Sequence, residues 1–285
     1  MASDMIDKAF LLQLVDLAKS AGERIMAHYH SHDVQLVSKA DNSPLTAADL
    51  ASHEYLMTGL NDLLPQLPII SEESSLSNWK ERQSWPAYFL IDPLDGTKEF
   101  IKKNGEFTVN IALIIAGYAH AGVVYAPALG QCYFGAKGLG AWKQTGEDPA
   151  LSLLALASDN PAHGQYASDQ ALAIAGRPPI IVGSRSHPSP DFETFIAQYS
   201  EHQILAVGSS LKFCLLAEGS ADIYPRLGPT SEWDTAAAQA VLEAAGGQVL
   251  VKDTLQSLRY NQKESIRNPE FIAFGPQWLA RHSAK

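Results

Sequence analysis

The sequence predicts an α+β protein built in layers, and three observations carry the prediction. An amphipathic segment opens the chain, short apolar runs bounded by turn residues follow it, and the second half alternates strand-like with helix-like segments. Of 285 residues, 46% are hydrophobic and 18% charged, enough apolar material for one large domain or two smaller ones, each with a real core. We expect two lobes sharing one interface: residues 1–143 as an α+β lobe and residues 178–285 as an α/β lobe, with an insertion at 144–177 between them.

The elements follow in order. From Ile6 to His30, Phe10, Leu11, Leu14, Val15, Leu17, Ala18, Ile25 and Met26 recur at spacings of three and four, which predicts a helix with one buried face. A second helix is expected from Pro44 or Thr46 to Leu64, capped by Ser43 or Thr46 and closed by Pro65, with Asp49 and His53 on one face. Leu67–Ser71 and Tyr88–Ile91 are short apolar runs followed at once by acids, so they read as buried strands delivering carboxylates at their ends. Phe107–Ile115, Ala119–Tyr125 and Gln131–Ala136 continue as a meander. Gly146, Pro149, Asn160, Pro161, Gly164, Gly176 and Pro178 punctuate the insertion. The second lobe reads strand Ile180–Gly183, helix Asp191–Tyr199, strand Gln203–Val207, helix Ser210–Glu218, strand Ala221–Tyr224 and helix Trp233–Ala245, with Gly219 and Gly246-Gly247 as stops.

Composition excludes several function classes. A formal charge of −10 argues against a general nucleic-acid surface, which works by neutralising phosphates with Lys and Arg. Cys132 and Cys214 are far apart and show neither disulfide-framework nor zinc spacing, which fits a reducing cytoplasm. Acidic residues near the N-terminus stand where a signal peptide carries positive charge, so the first helix is expected in the mature protein. The apolar run from Val109 through Ala126 is broken by Asn110, His120 and glycines and falls short of the roughly 20 apolar residues of a membrane span. His53, His120, His187 and His202 lack metal-site spacing.

The chemistry concentrates in carboxylates. Ser71-Glu72-Glu73 ends one strand and Asp92-Pro93-Leu94-Asp95 the next, where Pro93 restricts the backbone so that two carboxylates three apart can converge. Magnesium takes oxygen ligands, typically a few carboxylates with water and substrate phosphate, and the Leu94 carbonyl is placed to add one more. Gly96-Thr97 offers unhindered backbone N–H groups; a helical turn starting there would favour an anion. A loop end or helix cap also explains any one of these acids, and Asp234 has a second reading as a helix N-cap, a role that can coexist with metal binding.

Ile70-Ser71-Glu72-Glu73-Ser74, Leu90-Ile91-Asp92-Pro93-Leu94-Asp95-Gly96-Thr97 and Glu232-Trp233-Asp234-Thr235-Ala236-Ala237 resemble the three signature blocks of the lithium-sensitive, magnesium-dependent phosphatases related to inositol monophosphatase. The resemblance spans Ile6 to Phe274. It implies a layered αβαβα sandwich, the inositol monophosphatase/fructose-1,6-bisphosphatase-like (sugar phosphatase) fold. It further implies one Mg2+ on Glu72, Asp92 and the Leu94 carbonyl and a second on Asp92, Asp95 and Asp234. Asp49 and Thr97 would orient the attacking water, beside a third, weaker metal in some members, and Glu73 would support from behind. No covalent phosphoenzyme is required.

Specificity is expected from the second lobe. Ser184-Arg185-Ser186-His187, Gly208-Ser209-Ser210-Leu211-Lys212-Phe213 and Tyr224-Pro225-Arg226 each place a cation near a strand end. Singly, each reads as a solvated surface residue, and a tight turn accounts for Gly208 and Ser209. Together with Ala217-Glu218-Gly219 and Gly228-Pro229-Thr230, these segments resemble the bacterial 3'(2'),5'-bisphosphate nucleotidases. The resemblance implies adenosine 3',5'-bisphosphate (PAP) as substrate and AMP and phosphate as products. Arg185, Lys212 and Arg226 would hold the 5'-phosphate, and Gly208 and Ser209 would lie at the ribose. Two alternatives stay open: an inositol-1-phosphate or sugar-phosphate phosphatase on the same core, and a non-catalytic metal- or nucleotide-binding regulator. Relatives include monomers and homodimers, and peripheral inner-membrane association is described for some, although this sequence has no polybasic or amphipathic anchor.

Overall fold

A computed structural model describes residues 6–31, 36–38, 44–146, 152–155, 177–184 and 190–282. Helix α1 (Lys8–Tyr29) starts where the Asp7 side chain accepts a hydrogen bond from the Phe10 N–H at 2.8 Å, satisfying one of the donors a helix start leaves open. It buries Phe10, Leu11, Leu14, Val15, Ala18 and Ile25, the stripe its spacing predicts. Helix α2 (Ala47–Leu63) begins with a capping box of Thr46 and Asp49, so Thr46 rather than Ser43 is the cap. Strands β1 (Leu36–Ser38) and β2 (Pro44–Thr46) pair just ahead of it.

The two helices cover one face of a seven-stranded sheet. Its strands, in both spatial and chain order, are β3 (Ile69–Ser71), β4 (Ala87–Asp95), β5 (Thr108–Ile115), β6 (Tyr118–Ala126), β7 (Gln131–Ala136), β8 (Gly140–Thr145) and β9 (Ser152–Ala155). The β3–β4 pair is parallel and the other pairs are antiparallel. The sheet is covered on both faces, which explains its near-continuous apolar runs. Phe89, Ile91, Val109, Ile111, Leu113 and Val123 meet α1 and α2, while Tyr88, Leu90, Ala112, Ile114, Val124 and Tyr133 face the other way.

That second face packs on α6 (Leu211–Ala217) and α7 (Ala236–Ala244), whose other sides meet Val182, Tyr224, Val249, Phe271 and Ala273 of a second sheet. The second sheet runs β11 (Gln203–Val207), β10 (Ile180–Ser184), β12 (Ile223–Arg226), β14 (Phe271–Phe274) and β13 (Gln248–Val251). Its outer face buries Ile181, Ile223, Leu250 and Ile272 against Phe195 and Ile196 of α5 (Pro190–Ile196) and Trp278 and Leu279 of α8 (Pro276–His282). The layers therefore run αβαβα, as expected. At roughly 1.5–3 kcal/mol for each large apolar side chain taken from water, these three clusters dominate the folding energy.

Several expectations need correction. The first sheet does not stop at residue 143: β8 continues through Thr145, and Ser152–Ala155 pairs with it, Trp142 opposite Leu153. Gly146, read as a linker residue, follows β8 directly with its N–H donating to the Gly130 carbonyl at 2.7 Å, and Pro149 lies outside the described residues. Residues 156–176 of the expected insertion lie outside the described residues. The expected helix from Trp233 is divided into a 3-10 turn, Glu232–Asp234, and α7, because a Ser231–Asp234 capping box closes the first turn and Thr235 leaves helical geometry at φ −121°. Strands β13 and β14 and helix α8 were not anticipated; β14 runs antiparallel to β12 and makes the second sheet mixed. Short helices α3 (Trp79–Arg82) and α4 (Thr97–Ile101) complete the first half. Among the described residues no helix is long and apolar enough to cross a membrane.

Candidate active site

The acidic segment after Ile91 is not a loop but the end of β4, and an irregularity in that strand builds the site. Asp92 pairs with Asn110 and Asp95 with Thr108, so three steps along β4 match two along β5. Residues three apart in a regular strand point to opposite faces. One extra residue, a β-bulge, restores them to the same face. Asp92 and Asp95 thus join Tyr88 and Leu90 on the side facing α6 and α7, while Leu94 is buried in the α1–α2 core. Gly96 then turns the chain into α4 at φ 91°, where a Cβ would lie 3.1 Å from the Glu106 carbonyl oxygen.

Glu72 arrives from the neighbouring parallel strand, its N–H donating to the Ile91 carbonyl at 3.2 Å. Asp234 arrives from the 3-10 turn, held where the Ser231 N–H donates to Oδ2 at 2.8 Å. Glu72, Asp92 and Asp234 each present a carboxylate oxygen, all within 4.8 Å of one another. Burial first, then Glu72, Asp95 and Asp234, hold Asp92 well above the usual carboxylate range. Burial and then Asp95 push Asp234 up to about 8. Burial also raises Asp95, opposed chiefly by the Lys212 ammonium. An all-oxygen cluster of buried and half-buried carboxylates this close together fits a hard divalent cation.

Asp49, expected beside this cluster, is 1% exposed; Thr46 N–H and Oγ1 donate to its Oδ2 at 2.8 and 2.5 Å. Thr97 Oγ1 lies 3.3 Å from Asp49 Oδ1 and 3.5 Å from the Leu94 carbonyl oxygen. With its proton given to either oxygen, the hydroxyl keeps lone pairs for a water. His53 Nδ1 is 2.9 Å from Ser71 Oγ, tying α2 to the end of β3 rather than offering a ligand.

A cleft of about 310 Å³ opens above the acids, lined by Glu72, Asp92, Leu94, Asp95, Gly96, Thr97 and Asp234 and, from the second half of the chain, by Gly208, Ser209, Lys212 and Arg226. Lys212 is 6% exposed; its Nζ donates to the Ser209 carbonyl at 2.8 Å, and burial, partly offset by Asp95, lowers it to about 8. It therefore lies on the metal side of the cleft. Arg226 Nη2 donates to the Pro229 carbonyl at 2.7 Å. Arg185 lies outside the described residues. Sequence reasoning missed Lys98 and Arg267, which also line the cleft. Arg267 reaches the Ser231 hydroxyl at 3.3 Å, and its backbone bridges to Ser231. It stands in an irregular segment with no strand end or motif to announce it.

With this geometry in place, the chain matches the Inositol monophosphatase family over residues 7–269. It is 47% identical over 260 residues to the 3'(2'),5'-bisphosphate nucleotidase CysQ of Shigella flexneri, covering 91% of this chain and 97% of that protein. The same identity and coverage relate it to the protein of that name from Escherichia coli (strain K12). Among solved structures it is similar to CysQ from Bacteroides thetaiotaomicron, described as a bacterial member of the inositol monophosphatase family. That similarity has 38% identity, a TM-score of 0.77 and coverage of 94% of this chain and 98% of that one.

Proposed function

Because the chain belongs to the inositol monophosphatase family, we propose that it is a 3'(2'),5'-bisphosphate nucleotidase that removes the 3'-phosphate of PAP, giving AMP and inorganic phosphate. The observation that carries this reading is that one cleft is lined both by a close carboxylate cluster and by two guanidinium groups, Arg226 and Arg267. The first suits a metal-held phosphate and the second suits another phosphate of the same molecule.

Glu72, Asp92 and the Leu94 carbonyl would hold one Mg2+, and Asp92, Asp95 and Asp234 a second, with Asp49 beside any third. When bound, the metals supply positive charge for the transferring phosphate and make a water nucleophilic near neutral pH. Thr97 Oγ1, oriented by Asp49, accepts a hydrogen bond from that water and aims it in line with the ester bond. The Gly96 and Thr97 N–H groups and Lys212 add positive potential where the phosphate sits. Water oxygen bonds to phosphorus, the bond to the ribose 3'-oxygen breaks, and that oxygen leaves with a proton from solvent. Gly208 and Ser209, in the lining of the cleft, would contact the ribose. The metal-binding role belongs to the first half of the chain together with Asp234, and the specificity role to the rest of the second half. A cytoplasmic location belongs to the same reading, supported by two buried, unpaired cysteines.

The test compares Mg2+-dependent phosphate release from PAP and from inositol 1-phosphate. PAP should be preferred, because an uncharged polyol has nothing to place against Arg226 and Arg267. A marked preference for inositol 1-phosphate would replace this reading with the polyol one.

A further inference from the structure

Behind the carboxylates, one hydroxyl joins three separate elements. Ser210 Oγ lies 2.7 Å from Asp95 Oδ2, 2.7 Å from Asn110 Nδ2 and 3.0 Å from the Asp234 carbonyl oxygen. Asn110 Nδ2 can only donate, so Oγ accepts there; its own proton goes to the nearer and charged Asp95 Oδ2. Asn110 Nδ2 adds a long contact of 3.5 Å to the same carboxylate oxygen. Ser210 is 2% and Asn110 1% exposed, so water does not compete for these bonds. Asn110 Oδ1 is buried without a partner, an arrangement that costs about 1–3 kcal/mol. Stability alone gives no reason for an amide here; its donor end, aimed at Ser210 and Asp95, does.

The contact belongs to a register. Glu106, Thr108 and Asn110 alternate along the approach to β5 and the strand itself, and they meet three successive residues of the turn before α6. Gly208 N–H donates to Glu106 Oε2 at 2.8 Å, Thr108 Oγ1 lies 3.4 Å from Ser209 Oγ, and Asn110 meets Ser210. The turn sits so close that a Cβ at Gly208 would lie 2.9 Å from the Glu106 carbonyl oxygen.

We propose that Ser210, backed by Asn110, is a positioning residue for the metal site. It pins Asp95 Oδ2 with its one proton, leaving Oδ1 for a cation. The orientation of a metal ligand in the first sheet thereby depends on docking of the turn that leads into α6, the helix that bears Lys212. This inference rests on the metal-site reading above but not on the identity of the substrate.

Mn2+ binding to metal-free protein, followed by the electron paramagnetic resonance signal of free Mn2+, tests it without turnover. Ser210→Ala should weaken binding about 10- to 100-fold, the usual effect of losing a group that orients a metal ligand. Ser210→Thr, which keeps the hydroxyl, should restore most of the affinity, and Asn110→Ala should lose affinity in the same direction. Thermal unfolding in chelator identifies any variant that fails to fold; if Ser210→Ala does, Asn110→Ala decides. Wild-type affinity in a folded Ser210→Ala or, in that case, Asn110→Ala protein overturns the proposal. A wild-type chain that releases no phosphate from PAP leaves the Mn2+ comparison intact, whereas one that binds no Mn2+ overturns the metal reading and this inference together.

Discussion

Asp234→Asn, studied in chelator, measures how strongly the carboxylate cluster opposes folding when no cation is bound. Burial and Asp95 raise Asp234 from 3.8 to about 8. Between these values the folded protein keeps a proton that the unfolded chain has lost. The contribution to stability is full below 3.8 and is lost as pH rises through about 8. At ~1.4 kcal/mol per pH unit, the loss by pH 7 is on the order of 4 kcal/mol. Asp234 opens onto cleft water, and screening brings the expected figure to about 2 kcal/mol. Asparagine does not titrate and also relieves Asp95 and Asp92, so the variant should lose that much less stability than wild type between pH 3.8 and about 7. Urea unfolding followed by the fluorescence of the five tryptophans reads the difference. Glu232 and Glu243, each pushed by burial up to about 7, give both proteins a common residual slope of the same sign. Adding Mg2+ to wild type should remove the part that Asp234→Asn removes, since a cation then replaces the proton. Equal pH slopes for wild type and variant in chelator would refute this reasoning, as would a wild-type slope that Mg2+ leaves unchanged.

Arg226→Ala and Arg267→Ala should each raise KM for PAP roughly 10-fold or more, the worth of a hydrogen bond to a charged group. KM for adenosine 3'-monophosphate, which lacks the second phosphate, should stay near wild type in steady-state assays of phosphate release. Lys212→Met should instead lower turnover of both substrates alike, because the ammonium sits against Asp95; a loss confined to PAP would return Lys212 to the 5'-phosphate. Burial raises Cys132 to about 12 and raises Cys214 as well. Neither should react with a chromogenic disulfide reagent until urea unfolds the chain, and both should then react.

The layers were legible in the sequence wherever burial left a periodic mark, as in α1, or where an apolar run ended in acids, as at Ser71 and Ile91. The metal-side residues were legible because they come in short contiguous blocks whose chemistry needs those residue types. What escaped notice depends on pairing partners far along the chain. Nothing in Asp92–Asp95 states that its partner strand is one residue shorter, so the convergence was credited to Pro93 alone. The Ser231–Asp234 box divides a segment that has the composition of one helix. Ser152–Ala155 resembles any Leu-rich stretch until β8 is beside it. Arg267 enters the cleft through a bridge to Ser231, which lies 36 residues away, a separation no local pattern reports.

The extra residue in β4 also sets a rule of parity. Deleting either Pro93 or Leu94 would match the two strands step for step and give a more regular ladder with β5. It would leave Asp95 two steps from Asp92 and so still on the side of α6 and α7, with one residue between the carboxylates instead of two. Deleting both Pro93 and Leu94 would instead make the two carboxylates neighbours on opposite faces of the strand. What the irregularity adds beyond parity is the second intervening residue, which sends the Leu94 side chain into the α1–α2 core while its carbonyl stays beside Thr97.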